Sequence, residues 1–240
     1  MRYCFSLIKR VLHVFFPINC VICHRVLPYD DELHVCSTCY AKFPQMTKLF
    51  CQKCGKSLPD GGAHCYDCLR SRRHYEYIRA AGVYDGTLRD IIHKFKYKNC
   101  DFLDTVLAKF MVERLANSFP WDRIDYIIPV PLHRKGYHVR GYNQAALLAN
   151  KLSKYFNKPV LENVLLKIRR TKAQASLNKE ERLRNLTDAY YVREKEVVRR
   201  KNILLVDDVC TTGTTIEECS KVLKNSGANK IWAMVVAHGV

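Results

Sequence analysis

Two sets of side chains in this sequence are spaced for chemistry. The first is a series of four Cys-x-x-Cys pairs, Cys20/Cys23, Cys36/Cys39, Cys51/Cys54 and Cys65/Cys68, which uses eight of the twelve cysteines. Two thiolates with two residues between them can chelate one ion, and a second pair beyond a hairpin-length gap completes a tetrahedral site. Twelve residues separate Cys23 from Cys36, and ten separate Cys54 from Cys65. Sequential and interleaved pairings are both open on spacing alone. A disulfide framework fits less well. The opening MRYCFSLIKRVLHVFF is interrupted by Lys9, Arg10 and His13 and lacks a small-residue cleavage site, so no secretory signal is expected. A reducing, cytoplasmic setting keeps thiols free for metal. The expectation is two structural Zn2+ ions. His24 is a spare candidate ligand beside Cys23, and Cys210, outside the pairs, is expected to be a small packing residue.

The second set is the stretch ILLVDDVCTTGTT at residues 203–215. An apolar run meets two adjacent carboxylates, Asp207 and Asp208, and then a small hydroxyl-rich loop, Thr211, Thr212, Gly213, Thr214 and Thr215. A helix is expected directly after it. Free N–H groups and the helix dipole at such an N-terminus favour a phosphate, and a glycine lets the backbone come close. Ionised carboxylates only accept hydrogen bonds, so the pair must face hydroxyls or a metal-bound sugar. The chemistry is that of a phosphate cup beside a diol-binding pair, a ribose 5-phosphate pocket.

These groups need elements to hold them. The patterning predicts strands at 78–84, 126–129, 160–166, 189–192, 203–206 and 230–236. Helices are predicted at 87–96, 102–115, 145–155, 179–186 and 216–225. Strands alternating with helices imply an α/β fold with a mostly parallel, doubly wound sheet. Ahead of it sits a small N-terminal zinc-ribbon module, giving two domains, 1–74 and 75–240. Apolar residues Phe5, Ile8, Leu12 and Phe15 near helical spacing predict a short packing helix before the cysteines.

The thirteen residues from Ile203 to Thr215 resemble the signature of type I phosphoribosyltransferases, which bind 5-phosphoribosyl-1-pyrophosphate (PRPP) with Mg2+. The resemblance implies that Asp207 and Asp208 contact ribose hydroxyls and that Thr211, Thr212, Gly213, Thr214 and Thr215 hold the 5-phosphate. It implies that Pro129, Val130 and Pro131 form the pyrophosphate loop. Thr171, Gln174, Leu177, Arg182 and Asn185 resemble the mobile active-site loop, which would add Gln174 and Arg182 to Asp207 and Asp208 as catalytic residues. The whole arrangement, with four Cys-x-x-Cys pairs, Ile128–His133, Arg140-Gly141-Tyr142-Asn143-Gln144 and the two later motifs, resembles the ComF/GntX family. Members of that family are implicated in natural competence and in use of DNA as a nutrient. The implied role is cytoplasmic handling of incoming single-stranded DNA, with PRPP or a nucleotide as ligand. Implied partners are a DNA-translocating helicase and other competence proteins, through which the protein would reach the membrane. The alternatives are an active phosphoribosyltransferase acting on a base or amine, and a non-catalytic PRPP sensor.

Charge fits a polyanionic partner. The chain carries 40 Lys and Arg against 23 Asp and Glu, a formal +17, and 48% apolar residues exclude wholesale disorder. Residues 75–240 hold 29 of those cations against 18 acids. Lys167, Arg169, Arg170 and Lys172 are the chosen nucleic-acid contacts, and Lys94, Lys96 and Lys98 form another candidate cluster. Tyr97, Tyr137 and Tyr142 are candidate stacking platforms. No apolar run is long enough for a membrane span.

Overall fold

The computed structural model describes residues 12–46, 49–169 and 189–239. A four-stranded, all-parallel sheet forms its centre, in the order β1 (Ile78–Val83), β6 (Ile231–His238), β5 (Ile203–Cys210), β2 (Tyr126–Pro129). The two middle strands read as near-continuous apolar runs because they are covered on both faces; all eight residues of β6 are buried.

One face of the sheet presents Leu204, Val206, Met234 and Val236 to α3 (Gly86–Tyr97), α4 (Asp104–Leu115) and α6 (Gln144–Phe156). The other presents Ile203, Leu205, Ala233 and Val235 to α8 (Thr214–Asn225) and to a small antiparallel hairpin of β3 (Leu165–Lys167) and β4 (Tyr190–Val192). Each long helix buries one stripe: in α3 it is Leu88, Ile91, Ile92 and Phe95, the i, i+3, i+4, i+7 pattern. Short helices α1 (Ser37–Ala41), α2 (Tyr66–Arg70), α5 (Arg134–Arg140) and α7 (Lys195–Val198) lie between the larger elements.

The cysteine-rich segment is joined to the sheet edge. Gln45 bridges to Gly82 of β1, and the Val83 N–H donates to the Pro44 carbonyl at 3.0 Å. A Cβ at Gly82 would stand 2.3 Å from that Pro44 oxygen, so the approach requires glycine.

Three expectations change. The strand predicted at 203–206 continues to Cys210, because β6 pairs alongside as far as Cys210↔His238. Residues 160–166 are not one strand: Val160 makes a lone bridge to Ile127 and only Leu165–Lys167 pairs. Of the predicted N-terminal packing stripe only Leu12 and Phe15 are described, and both are exposed, while Phe5 and Ile8 lie outside the described residues. The predicted helix at 179–186 lies outside the described residues. Among the described residues no helix is long and apolar enough to cross a membrane.

Candidate functional site

The four cysteine pairs close sequentially. Cys20, Cys23, Cys36 and Cys39 form one cluster, Cys51, Cys54, Cys65 and Cys68 the other, with all sulfurs of a cluster within 4.8 Å of each other. The Cys23–Cys36 and Cys54–Cys65 Sγ separations are 3.7 and 3.6 Å. A tetrahedral Zn2+ with bonds of about 2.3 Å sets its sulfurs about 3.8 Å apart, so both clusters fit zinc. Each begins in a tight knuckle turn, His24 N–H to the Cys20 carbonyl and Gly55 N–H to the Cys51 carbonyl, both at 2.9 Å. In the first cluster the Cys36 N–H donates to Cys20 Sγ and the Cys39 N–H to Cys36 Sγ, both at 3.4 Å. Burial opposes the Cys20 thiolate, yet the N–H groups of Cys23, Cys36 and Ile22 outweigh it and bring the thiol down to about 6. Cys51 comes down to about 7 for the same reason. Their partners go the other way: burial, then neighbouring sulfurs, push Cys39 up to about 12. Four thiolates in one place need a cation. His24 takes no part; it turns the knuckle at φ 60° while four sulfurs complete the set.

At the carboxyl ends of the strands, β2 stops at Pro129, opposite Val206, while β5 continues along β6. Asp207 and Asp208 therefore stand just past the neighbour's end, where the strand has an open flank. Successive side chains of a strand point to opposite faces, so the two carboxylates approach the opening from both sides. They line one cavity of about 130 Å3. Val130 and Pro131 form another wall, with Arg140, Asn143 and Gln144 behind them and Lys167 and Tyr190 contributed by the hairpin. Thr215 is the one residue of the threonine loop in this wall.

Local chemistry fixes these walls. The Val130 N–H donates to the Val206 carbonyl at 2.9 Å, and Asn143 Nδ2 donates to the Val130 carbonyl at 3.1 Å, which pins the Pro129-Val130-Pro131 turn. Asn143 also caps α6 by accepting from the Ala145 N–H at 3.1 Å. Gly213, at φ 74°, sets the entry to α8, and Thr212 and Thr214 share a hydroxyl hydrogen bond of 2.7 Å. Arg140 donates to Gln144 Oε1 at 3.0 Å and to Tyr97 Oη at 3.1 Å. Gln144 is buried and its Nε2 has no partner among the described residues, leaving a donor at the cavity wall.

Charge in the cavity is mixed. Lys96, on α3, places Nζ 2.8 Å from Asp208 Oδ1, with both side chains nearly buried. Burial opposes the ammonium, but Asp208 and then Asp207 hold the Lys96 pKa above the ordinary lysine value. Asp207 is desolvated and sits beside Asp208, and together these push its carboxyl up to about 7. Burial lowers the Lys167 ammonium. Cys210 is buried and pushed up to about 12 by that burial and by Asp207, the behaviour of a packing thiol rather than a nucleophile.

The structure thus brings together Asp207, Asp208, Thr215, Val130 and Pro131. Pro129 supports them from the end of β2, and Thr211 and Thr212 are exposed beside the cup. Gln174, Arg182, Arg170 and Lys172 lie outside the described residues. Lys167 lies in the cavity wall and Arg169 on the surface. In the other basic cluster, Lys94 Nζ donates to the Val21 carbonyl at 2.5 Å and Lys96 holds Asp208, so two of its three lysines are committed within the fold. Tyr142 is tied to the Phe95 carbonyl at 2.6 Å, whereas Tyr97 and Tyr137 are half exposed. The residue that sequence reasoning misplaced is Lys96. A signal was present: it continues the buried stripe of α3, four residues after Ile92.

A parallel α/β sheet with a carboxylate pair and threonine loop at one strand end, preceded by two four-thiolate clusters, defines a zinc-ribbon protein with a phosphoribosyltransferase-type domain. Comparison with known families agrees. The double zinc ribbon domain matches residues 11–69, and the phosphoribosyl transferase domain matches residues 141–239. Competence protein F of Haemophilus influenzae is 31% identical over 229 residues, covering 93% of this chain and 99% of that protein. The DNA utilization protein YhgH of Escherichia coli strain K12 is 26% identical, covering 83% of this chain and 89% of the relative. The competence protein ComFC of Streptococcus pneumoniae is 28% identical, covering 84% and 86%. Among solved structures, adenine phosphoribosyltransferase from Saccharomyces cerevisiae aligns over 56% of this chain and 69% of its own, at 15% identity and a TM-score of 0.36. The chain belongs to the competence protein F family.

Proposed function

We propose that the protein handles incoming single-stranded DNA in competence or DNA utilisation, and that its cavity binds a phosphoribosyl ligand, PRPP with Mg2+ or a nucleotide. The kinship with competence protein F supports the role. The observation that carries the ligand reading is the single cavity shared by Asp207, Asp208 and Thr215 with Val130, Pro131, Arg140 and Lys167. Carboxylates there suit ribose hydroxyls, the cup of Thr211, Thr212, Gly213, Thr214 and Thr215 suits a 5-phosphate, and Arg140, Lys167 and the free Gln144 amide suit further anionic oxygens. Mg2+ would neutralise the pyrophosphate when PRPP is bound. On this reading residues 1–74 and 75–240 are two domains, and the ribbons serve as a metal-held platform on the sheet edge.

Calorimetry tests the ligand. Wild-type protein is expected to bind Mg·PRPP, and Asp207→Ala or Asp208→Ala to weaken it by about tenfold or more, the effect of losing a charge-assisted hydrogen bond. Asp207 accepts hydroxyls at both oxygens, with charge assistance, only when ionised, and burial and Asp208 push its carboxyl up to about 7. Protonation below that value opposes binding, so affinity should rise by about tenfold between pH 6 and pH 8. No heat with PRPP across that range would leave a fold without this ligand. For DNA, binding of a single-stranded oligonucleotide should fall steeply with salt. Neutralising Lys167, Arg169, Arg170 and Lys172 together should flatten the salt slope by up to about 3 if all four touch phosphates. An unchanged slope would move the contact to another surface.

One observation favours a transferase. A second cleft of about 500 Å3 opens between α5 and the hairpin and shares Pro131, Leu132 and Lys167 with the small cavity. It has room for an acceptor beside the ribose. Pyrophosphate release from PRPP in the presence of bases, amines or single-stranded DNA tests that reading.

A further inference from the structure

The acidic pair already has a cation, supplied by the protein. Lys96 stands where the apolar stripe of α3 predicts a leucine or methionine, four residues after Ile92 and next to the fully buried Phe95. A buried lysine is costly unless paired. Its Nζ is 2.8 Å from Asp208 Oδ1, with 17% of the Lys96 side chain and 8% of the Asp208 side chain exposed. The turn that carries it is held from outside by the neighbouring Lys94, which donates to the Val21 carbonyl of the first ribbon. The lysine is therefore positioned by the fold rather than drawn in by a flexible stem.

Two adjacent carboxylates in one small cavity repel each other and retain a proton unless positive charge stands close by. The charged and titratable groups facing this pair come from every side. Lys96 approaches from α3, with Tyr84 near it; Lys167 and Tyr190 come from the hairpin; Arg140 from α5; Cys219 from α8, with Glu218 beside it; and Cys210 from β5 itself. Arg140 already donates to Gln144 and Tyr97, and burial lowers the Lys167 pKa from the ordinary lysine value. Among the described residues, Lys96 is the cation in direct contact. One ammonium donor occupies one of the roughly four lone-pair sites of a carboxylate, so most of the pair stays open to hydroxyl donors.

Resting on the phosphoribosyl reading above, we propose that Lys96 is the built-in cation of this site: its ammonium balances the Asp207–Asp208 pair, so that the pair accepts ribose hydroxyls without a divalent cation. The ligand class that follows is wider than PRPP. Any ribose 5-phosphate moiety fits, including a nucleoside 5′-monophosphate, and Mg2+ is needed only where a pyrophosphate must be neutralised. Lys96 is a positioning residue; it acts on the ligand through Asp208.

The test is calorimetric titration of the full zinc-loaded chain with ribose 5-phosphate, between pH 6 and 9. It uses Mg2+-free buffer without chelator, so that the zinc sites are undisturbed, and the same buffer with Mg2+. Wild-type affinity is expected to change by less than about twofold on adding Mg2+. Lys96→Met should lose at least about tenfold at pH 7 and regain part of it on adding Mg2+. Its pH midpoint should move up by about one unit or more, because the pair then retains its proton to higher pH. Lys96→Arg should restore both. A structural role alone would lower affinity without moving the midpoint or creating a Mg2+ response. If Lys96→Met does not fold, the wild-type Mg2+ comparison and Lys96→Arg still decide. The proposal is overturned if the wild type needs Mg2+ for ribose 5-phosphate, or if Lys96→Met binds as the wild type does at every pH. Failure of the underlying reading looks different: no heat with ribose 5-phosphate or PRPP under any condition, which removes this inference with it.

Discussion

The two cysteine clusters have the same ligands and the same knuckle, yet the fold uses them differently. Cys20, Cys36 and Cys39 belong to the main core, in one continuous cluster with Leu27, Val35, Phe43, Leu88, Phe95 and Phe110. Cys51, Cys54 and Cys65 form a small cluster of their own, with Leu58 and Cys68 packed against it. Each is also tied to a different helix near the carboxylate pair. The first reaches α3, the helix of Lys96, through Lys94 and Val21. The second connects to α8, the helix after the threonine loop, through His74, whose N–H and Nδ1 contact Glu217 at 3.1 and 2.7 Å. Identical metal chemistry can thus be core in one place and an outlying clasp in another. What decides is how much apolar surface its surroundings bury with it.

The largest expected contrast is in losing a ligand. Cys20→Ser should destabilise the whole chain by on the order of 5 kcal/mol, because three stranded thiols remain in the shared core. Hydrogen exchange should then show protection lost in α3 and α4 as well as in residues 18–43. Cys51→Ser should expose residues 49–69 and leave β5 and β6 protected. Equal loss of protection in the sheet for both variants would erase the distinction drawn between the clusters.

Packing sharpens it at the next level. Leu27 is buried in the shared core, so Leu27→Ala should cost about 2–4 kcal/mol, read as a lower urea midpoint. Leu58 is only partly buried, and Leu58→Ala should cost about 1 kcal/mol or less. Comparable costs would mean that the second cluster also leans on the core.

The smallest effects belong to the two ties. Glu217→Gln removes an acceptor from His74 and should cost about 1 kcal/mol, with faster exchange in the second ribbon only. Lys94→Met should cost a similar amount, about 1 kcal/mol, and loosen the first ribbon and the end of α3 instead. If each variant loosens both ribbons, the two are one mechanical unit.

Much of this protein was legible in the residues alone. Four Cys-x-x-Cys pairs declare metal because two thiolates at that spacing fit one ion whatever surrounds them. Residues 203–215 declare a strand, a carboxylate pair and a glycine turn into a helix, because period, acceptor chemistry and glycine freedom are local properties. Local pattern also placed α3, α4, α6 and α8 within a residue or two of their ends. Tertiary structure decided the rest, for reasons that no window of sequence contains. The cysteines close in sequential fours because the chain between them turns back on itself before reaching the next pair. Strand β5 outruns its carboxylates because β6 pairs with it, and the carboxylates are open to a ligand because β2 ends sooner. Lys96 reads as surface charge until α3 is laid on the sheet, where the same stripe that buries Phe95 carries the ammonium onto Asp208, 112 positions further along the chain.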